Sequence, residues 1–346
     1  VRFAFSRRAR AAHRSPLPWL VAALAILLAA CAPAAQPTPA PPTPTPVVAA
    51  TPTPTPTPAA AFPLTLVDGE GNTVTIPARP ERIVSLTPAT TEILFAVGAG
   101  PRVIATTDFD DYPPEAVPLP AVATFQGVDV EKVVGLEADL VIAGGRGFNP
   151  PDDLARLRAL GIPVVVVYAP DVATVVRDVE LVATAAGEAA AGAALAAQMQ
   201  AEIDSIVAAV AASGAPRPRV FYEVDATVEI FGPADDSFLA EMVYLAGGDP
   251  ITTGSPIVWS IPLEKLVAAD PEVIVLGSAA WGVTAEQVAA RPGWGGMTAV
   301  VTGAIRPVND IIVTRPGPRL VQGLRELALA INPDLVLPPP AAPANP

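Results

Sequence analysis

Histidine and cysteine are almost absent from this sequence, with one of each in 346 residues. The histidine, His13, lies in a basic start made by Arg2, Arg7, Arg8, Arg10 and Arg14, which contains no acidic residue. The apolar run from Leu17 to Leu28 that follows is too short to span a membrane comfortably and has the form of a secretory signal. Removal of that segment leaves a chain without imidazole. Ser-His and Cys-His nucleophilic machinery, Cys/His zinc sites and cysteine-held iron–sulfur clusters are thereby excluded. Basic residues are scarce as well. Sixteen lie beyond residue 30, against 34 acidic ones and with no basic stripe, which argues against a nucleic-acid partner.

The single cysteine closes Leu28-Ala29-Ala30-Cys31, which resembles the lipobox of bacterial lipoproteins. Cleavage there makes Cys31 the first residue, so residues 1–30 are expected to be a signal peptide and Cys31 a lipidated membrane anchor. Proline, by contrast, is abundant, and it clusters. Residues 31–61 are Pro/Thr/Ala repeats that cannot bury apolar surface. They are expected to form an extended tether reaching roughly 90 Å from the lipid at polyproline rise. Residues 338–346 form a shorter Pro-rich tail, expected to be disordered. The protein is accordingly expected in the cell envelope, outside the cytoplasm.

The middle of the chain has no proline at all. From Asp171 to Ser213 the sequence predicts two helices, the first closed by Gly187. The second carries an apolar stripe at Leu195, Met199, Ile203, Ile206 and Val210, one face of a 3.6-residue period. At 1.5 Å per residue it is about 37 Å long, enough to cross between two domains.

The flanking segments, 62–170 and 214–337, alternate short apolar strands with helices, the pattern of parallel α/β structure. The first is expected to open with a hairpin, Leu64–Val67 and Thr73–Ile76, and to contain an irregular stretch from Thr107 to Gly127. The two segments also repeat each other. The run from Phe125 to Val134 sits 133 residues before the run from Val258 to Val267 without a gap, and places Glu131-Lys132 opposite Glu264-Lys265. The fold class expected is α/β: two pseudo-symmetric lobes with mainly parallel sheets, joined by a single long α-helix (171–213 forming the spine), and a ligand cleft between the lobes.

At these residues the chain resembles the substrate-binding lipoproteins of ATP-driven (ABC) importers for cobalamin, siderophores and haem. The resemblance covers Pro80 to Asn332. It is carried by Arg82-Ile83-Val84-Ser85-Leu86-Thr87-Pro88 with Thr91-Glu92, by Asp111-Tyr112-Pro113-Pro114, and by Gln126-Gly127 with Glu131. Later come Gly247-Gly248, Trp259 and Arg315-Pro316-Gly317-Pro318-Arg319-Leu320. The Tyr-Pro-Pro and Gln-Gly segments look most like the cobalamin-binding branch. The resemblance implies ligand contacts at Phe109 and Phe125 in the first lobe and at Trp259 and the region of Phe231 in the second; Tyr112 and Trp281 join them as candidates, Trp281 standing at the second lobe's corresponding strand end. Asp310 and Arg315 are implied at the polar periphery, or else paired with each other, and Arg319 is read as structural. Where the cobalamin branch places a tryptophan after the Asp-Leu-Val-Ile-Ala strand, this chain has Gly144. In the resembled family, glutamates at the positions of Glu131 and Glu264 meet arginines of a two-fold permease. A carboxylate in a helix's first turn also suits the helix dipole by itself.

The residues support the same destination independently. Aromatics are 5% of the chain, yet Phe109, Tyr112, Phe125, Phe148, Trp259 and Trp281 all fall in loops after strands, where open α/β sheets bind ligands. A wide, flat metal chelate suits such aromatic plates. The expectation is a monomeric, non-enzymatic receptor with no cofactor or metal of its own. Its partners are a metal-chelate ligand, foremost cobalamin, and an ABC permease dimer with its ATPase subunits. Three alternatives compete with it: a ferric-siderophore or haem receptor, a carboxylate-based metal enzyme using Asp108, Asp110 and Asp111, and a surface adhesin.

Overall fold

The computed structural model describes residues 61–145 and 148–340. The signal peptide, Cys31, nearly all of the tether and the end of the tail lie outside the described residues. Among those described, no helix is long and apolar enough to cross a membrane.

The first lobe opens with an antiparallel hairpin, β1 (Leu64–Val67) and β2 (Thr73–Ile76). Its turn is held by Asp68, whose carboxylate accepts from Glu70 N at 3.0 Å and Asn72 N at 2.8 Å. Then follow β3 (Ile83–Ser85), α1 (Pro88–Ala96), β4 (Val103–Thr107), β5 (Ala121–Thr124), β6 (Gly127–Val128), α2 (Val130–Gly135), β7 (Leu140–Gly144), α3 (Pro151–Ala159) and β8 (Val164–Val167). Six of these strands make one sheet in the order β6-β5-β4-β3-β7-β8, parallel except between β5 and β6. The stretch from Thr107 to Gly127, expected to be irregular, thus contributes β5 and the start of β6. Their brevity and the flanking prolines hid the strand pattern.

Two helices follow, α4 (Val172–Ala185) and α5 (Ala189–Ser213). Asp171 caps α4 by accepting from Thr174 N at 2.7 Å. Gly187, at φ 82°, makes the reversal: its N–H bonds Thr184 O at 3.1 Å and the next N–H bonds Ala183 O at 2.7 Å, returning the chain antiparallel.

The second lobe comprises β9 (Arg219–Glu223), α6 (Phe238–Leu245), β10 (Asp249–Pro250), α7 (Leu263–Ala269), β11 (Val273–Leu276), α8 (Ala285–Ala289), α9 (Thr298–Val301), β12 (Ile305–Pro307), α10 (Asp310–Thr314) and α11 (Leu320–Ile331). Its sheet runs β10-β9-β11-β12, all parallel. The short helices α9 and α10 were not foreseen; four or five residues carry too little periodicity. The repeat is visible in three dimensions, because α2 and α7 begin 133 residues apart and so do β7 and β11.

Polar contacts show the path between the lobes. The first amide of α4, Val172 N, donates to Glu241 on α6 at 2.7 Å. Glu188, just before α5, pairs with Arg79 at 2.6 Å and Arg102 at 2.7 Å in the first lobe. Glu202 on α5 then meets Arg325 of α11 at 3.2 Å. The long helix α5 therefore joins the lobes, with α4 lying alongside it. Met199, Ile203 and Ile206 are buried along its stripe, and Leu195 and Val210 half-buried. They belong to one apolar cluster that runs from Ile93 and Leu94 of α1 through both helices to Tyr222, Met242 and Leu324. Separate clusters fill the far face of each sheet.

One carboxylate sits on the buried side of α4. Burial pushes Asp178 up to about 7; Arg177 opposes this and Asp171 adds to it. Its unfolded counterpart ionises near pH 4. Between these values the folded protein holds a proton that the unfolded chain has released, so the stability present below pH 4 is lost as pH rises to about 7. The variant Asp178→Asn should therefore gain on the parent as pH rises, by about 2–3 kcal/mol between pH 5 and pH 8. Denaturant unfolding of both proteins at the two pH values checks this; a gap that does not widen would show that Asp178 ionises normally.

Candidate functional site

The carboxyl ends of the parallel strands in both lobes carry most of the exposed aromatics among the described residues, Tyr244 on α6 being the exception. In the first lobe Phe109 and Tyr112 follow β4, Phe125 follows β5 and Phe148 follows β7. In the second, Phe231 follows β9, Trp259 follows β10, Trp281 ends a 3-10 turn after β11, and Asp310 begins α10 after β12. Large side chains left in water at so many strand ends form the kind of apolar surface that ligands cover.

Phe125 is 90% exposed and Trp281 78%. Phe109 is half-buried, and its ring packs tilted on Phe125 with centroids 3.9 Å apart. The loop that bears Phe109 is pinned beneath by Asp110. That carboxylate accepts from Thr107 N at 2.8 Å and Thr107 Oγ1 at 2.6 Å, while burial pushes its pKa up.

In the second lobe Trp259 is held through its backbone. Gly232 N donates to Trp259 O at 2.9 Å and Ile261 N to Ile230 O at 2.8 Å, so the residues around Phe231 form a short ribbon beside the tryptophan. Phe231 itself is half-buried in that ribbon. Trp281 is positioned from below. Ser278 Oγ donates to Glu223 Oε1 at 2.8 Å, and the fully buried Glu223 is held by Arg291 at 2.5 and 3.0 Å. Sequence reasoning missed Glu223 and Arg291; a carboxylate closing an apolar strand was the available signal.

The two carboxyl ends meet at an ion cluster. Glu92 on α1, its side chain 2% exposed, accepts from Arg315 Nη1 at 2.8 Å, Arg319 Nε at 2.9 Å and Arg319 Nη2 at 2.7 Å. Arg315 also reaches Asp111 at 2.7 Å, and the Arg319 guanidinium lies 4.0 Å over the Tyr112 ring. Hydrogen bonding to Glu92 raises the Arg319 pKa above its ordinary value. Arg315 and Asp310 do not pair with each other, contrary to one of the two expectations. Asp310 instead accepts from Tyr222 OH at 2.7 Å, and burial drives the Tyr222 pKa up. Arg315 and Arg319 of the second lobe are thus paired with Glu92 and Asp111 of the first.

The carboxylates of the enzyme alternative are dispersed. Asp110 is buried on Thr107 and Asp111 is paired with Arg315. Among the described residues no group of three or more His, Cys, Asp or Glu side chains is arranged to hold a metal ion.

Glu131 and Glu264 are both exposed, in the first turns of α2 and α7. The lysine after each glutamate does the same thing in both lobes. Lys132 Nζ donates to Ala121 O at 2.7 Å and Lys265 Nζ to Thr253 O, fastening each helix start to the chain before it.

The sequence pattern of the periplasmic binding protein family matches residues 83–309. The uncharacterized ABC transporter substrate-binding lipoprotein YvrC of Bacillus subtilis is 33% identical over 276 residues, 79% of this chain and 87% of that protein. Among solved structures, the periplasmic vitamin B12 binding protein BtuF of Vibrio cholerae matches with a TM-score of 0.65 at 26% identity, covering 73% of this chain and 97% of its own. The periplasmic heme-binding protein RhuT from Roseiflexus sp. RS-1 matches with a TM-score of 0.64 at 29% identity, covering 72% and 97%.

Proposed function

The chain belongs to the periplasmic binding protein family, and from that premise we propose that it captures cobalamin outside the cytoplasm and hands it to an ABC permease. The observation that supports this reading is the set of exposed aromatics at the carboxyl ends of both sheets. Such plates suit a broad, partly apolar chelate. In this reading Phe109, Tyr112, Phe125, Phe231, Trp259 and Trp281 contact the ligand, with Asp310 and Arg315 at its polar edge. Cys31 carries the lipid, the Pro/Thr-rich stretch spaces the lobes from the membrane, and Glu131 and Glu264 dock the permease. The name of the Bacillus relative supports the lipid anchor.

Haem is the second reading, favoured by the similarity to RhuT. Residue chemistry separates the two. Haem iron is held by His, Cys, Met or Tyr side chains; His13 and Cys31, the sole histidine and cysteine, lie outside the lobes, so haem would call on Tyr112, the exposed tyrosine of the site, whose ring is already covered on one side by Arg319. Cobalamin brings its own axial ligands and asks for none. A ferric siderophore needs net positive charge for its anionic oxygens, and the charges of Arg315 and Arg319 are offset by Glu92 and Asp111, which leaves Arg315 only N–H donors for the edge of a ligand.

Titration with cyanocobalamin, haemin and a ferric hydroxamate, read by tryptophan fluorescence, tests the assignment. Cyanocobalamin should bind tightest, and Trp259→Ala should weaken it by roughly 1–4 kcal/mol, as for a buried aromatic anchor. Preference for haemin would replace the cobalamin reading. An unchanged dissociation constant in a folded variant would remove Trp259 from the site.

A further inference from the structure

We infer that Phe148 is the second edge of a ligand platform on the first lobe, seated on Gly144 and set across Thr87 from the Phe109–Phe125 pair. The inference rests on the reading of this surface as the site for a broad macrocyclic chelate.

Strand order places these residues. Along β5-β4-β3-β7, the strand ends deliver Phe125, Phe109, Thr87 and Phe148 in turn. Neighbouring strands lie about 4.8 Å apart, so the strands of Phe109 and Phe148 are separated by about 10 Å and those of Phe125 and Phe148 by about 14 Å. Between the aromatic edges lies Thr87, itself buried, with its methyl group toward Gly144. Thr87 caps α1 there, its Oγ1 accepting from Thr90 N at 3.3 Å. A span of that breadth, aromatic at both sides with only the low Thr87 between, fits a tetrapyrrole ring lying across it rather than a compact ligand in a single pocket.

Phe148 is built into this position. Its ring is 70% exposed, yet the next residue, Asn149, is buried. The Asn149 amide ties two strand ends together: Oδ1 accepts from Gly144 N at 2.8 Å and Nδ2 donates to Leu86 O at 3.2 Å. Gly144 is necessary to the arrangement. A Cβ there would fall 2.6 Å from Thr87 Cγ2 and 2.9 Å from Phe148 Cβ. The strand end is therefore bare because Thr87 and the root of Phe148 close over it. An aromatic ring held in water by a buried, hydrogen-bonded root gains free energy only when something covers it.

Phe148→Ala, Phe148→Trp and Gly144→Ala, titrated with cyanocobalamin and haemin, test the inference, with thermal melts confirming the fold. For the macrocycle that the parent binds, Phe148→Ala should weaken affinity on the order of tenfold with an unchanged Tm, and Phe148→Trp should restore it. Gly144→Ala should weaken binding when Phe148 is present and add little on the Phe148→Ala background, because both changes act through the same ring. A Phe148→Ala protein that binds like the parent overturns this inference and leaves the macrocycle reading intact. A parent that binds neither macrocycle overturns both.

Discussion

Replacing Glu92 with alanine should destabilise the protein by about 3–5 kcal/mol, a fall in Tm of roughly 10 °C. The side chain is 2% exposed and accepts three charge-assisted hydrogen bonds from two arginines that lie 223 and 227 residues further along the chain. Burying such ions is costly, and only their mutual pairing offsets it; removing the carboxylate leaves Arg319 without its ion-pair partner in a largely enclosed site. Arg315 retains Asp111, but that contact is half-exposed and screened. The expected consequence is wider than stability. Glu92 belongs to the first lobe and both arginines to the second, so its loss should let the carboxyl ends of the sheets separate. Thermal unfolding and solution scattering of Glu92→Ala measure both effects, and Glu92→Gln, which keeps the shape and loses the charge, should fall between variant and parent. A Tm within one or two degrees of the parent would show that the cluster contributes no net stability.

The second large effect concerns transport rather than folding. The double variant Glu131→Ala/Glu264→Ala should bind ligand like the parent and yet fail to support uptake through the partner permease. The two glutamates are exposed and lie in the first turns of equivalent helices that begin 133 residues apart. Their helix starts are fastened in the same way by Lys132 and Lys265. A helix-dipole contribution explains either carboxylate alone, but not an equivalent lysine anchor on both lobes. Rim charges of this kind govern docking and its salt dependence more than the affinity of a buried site. Uptake in reconstituted vesicles, alongside equilibrium titration of ligand, separates the outcomes. Normal uptake by the double variant, or a loss of ligand affinity, would remove these residues from a docking surface.

Most of the architecture was legible in one dimension because it is local. The proline-free 43-residue stretch, the 3.6-residue stripe through Met199, Ile203 and Ile206, and the reversal at Gly187 all depend on neighbours within a turn or two. The repeat was legible too, because βα units of equal length preserve register, and α2 and α7 begin where the repeat puts them. Strands β5 and β6 and helices α9 and α10 escaped because each is five residues or fewer, too short to show a period.

From the sequence alone come the absence of histidine and cysteine chemistry in the lobes, the parallel α/β class, the long joining helix, and the placing of the rare aromatics after strands. Each follows from composition or short-range periodicity. Only the tertiary structure decided what the charged residues do. Arg315 could have met any of several acids; the crossing of residues 315–319 onto α1 selects Glu92 and Asp111 and leaves Asp310 to Tyr222. The same holds for Phe148, which in sequence is one loop aromatic among six. It becomes an edge of the platform because β3 lies between β4 and β7, and because Asn149 and a bare Gly144 hold it there. Charge pairing and strand order are long-range and many-partnered, so a sequence read locally leaves them open until packing chooses.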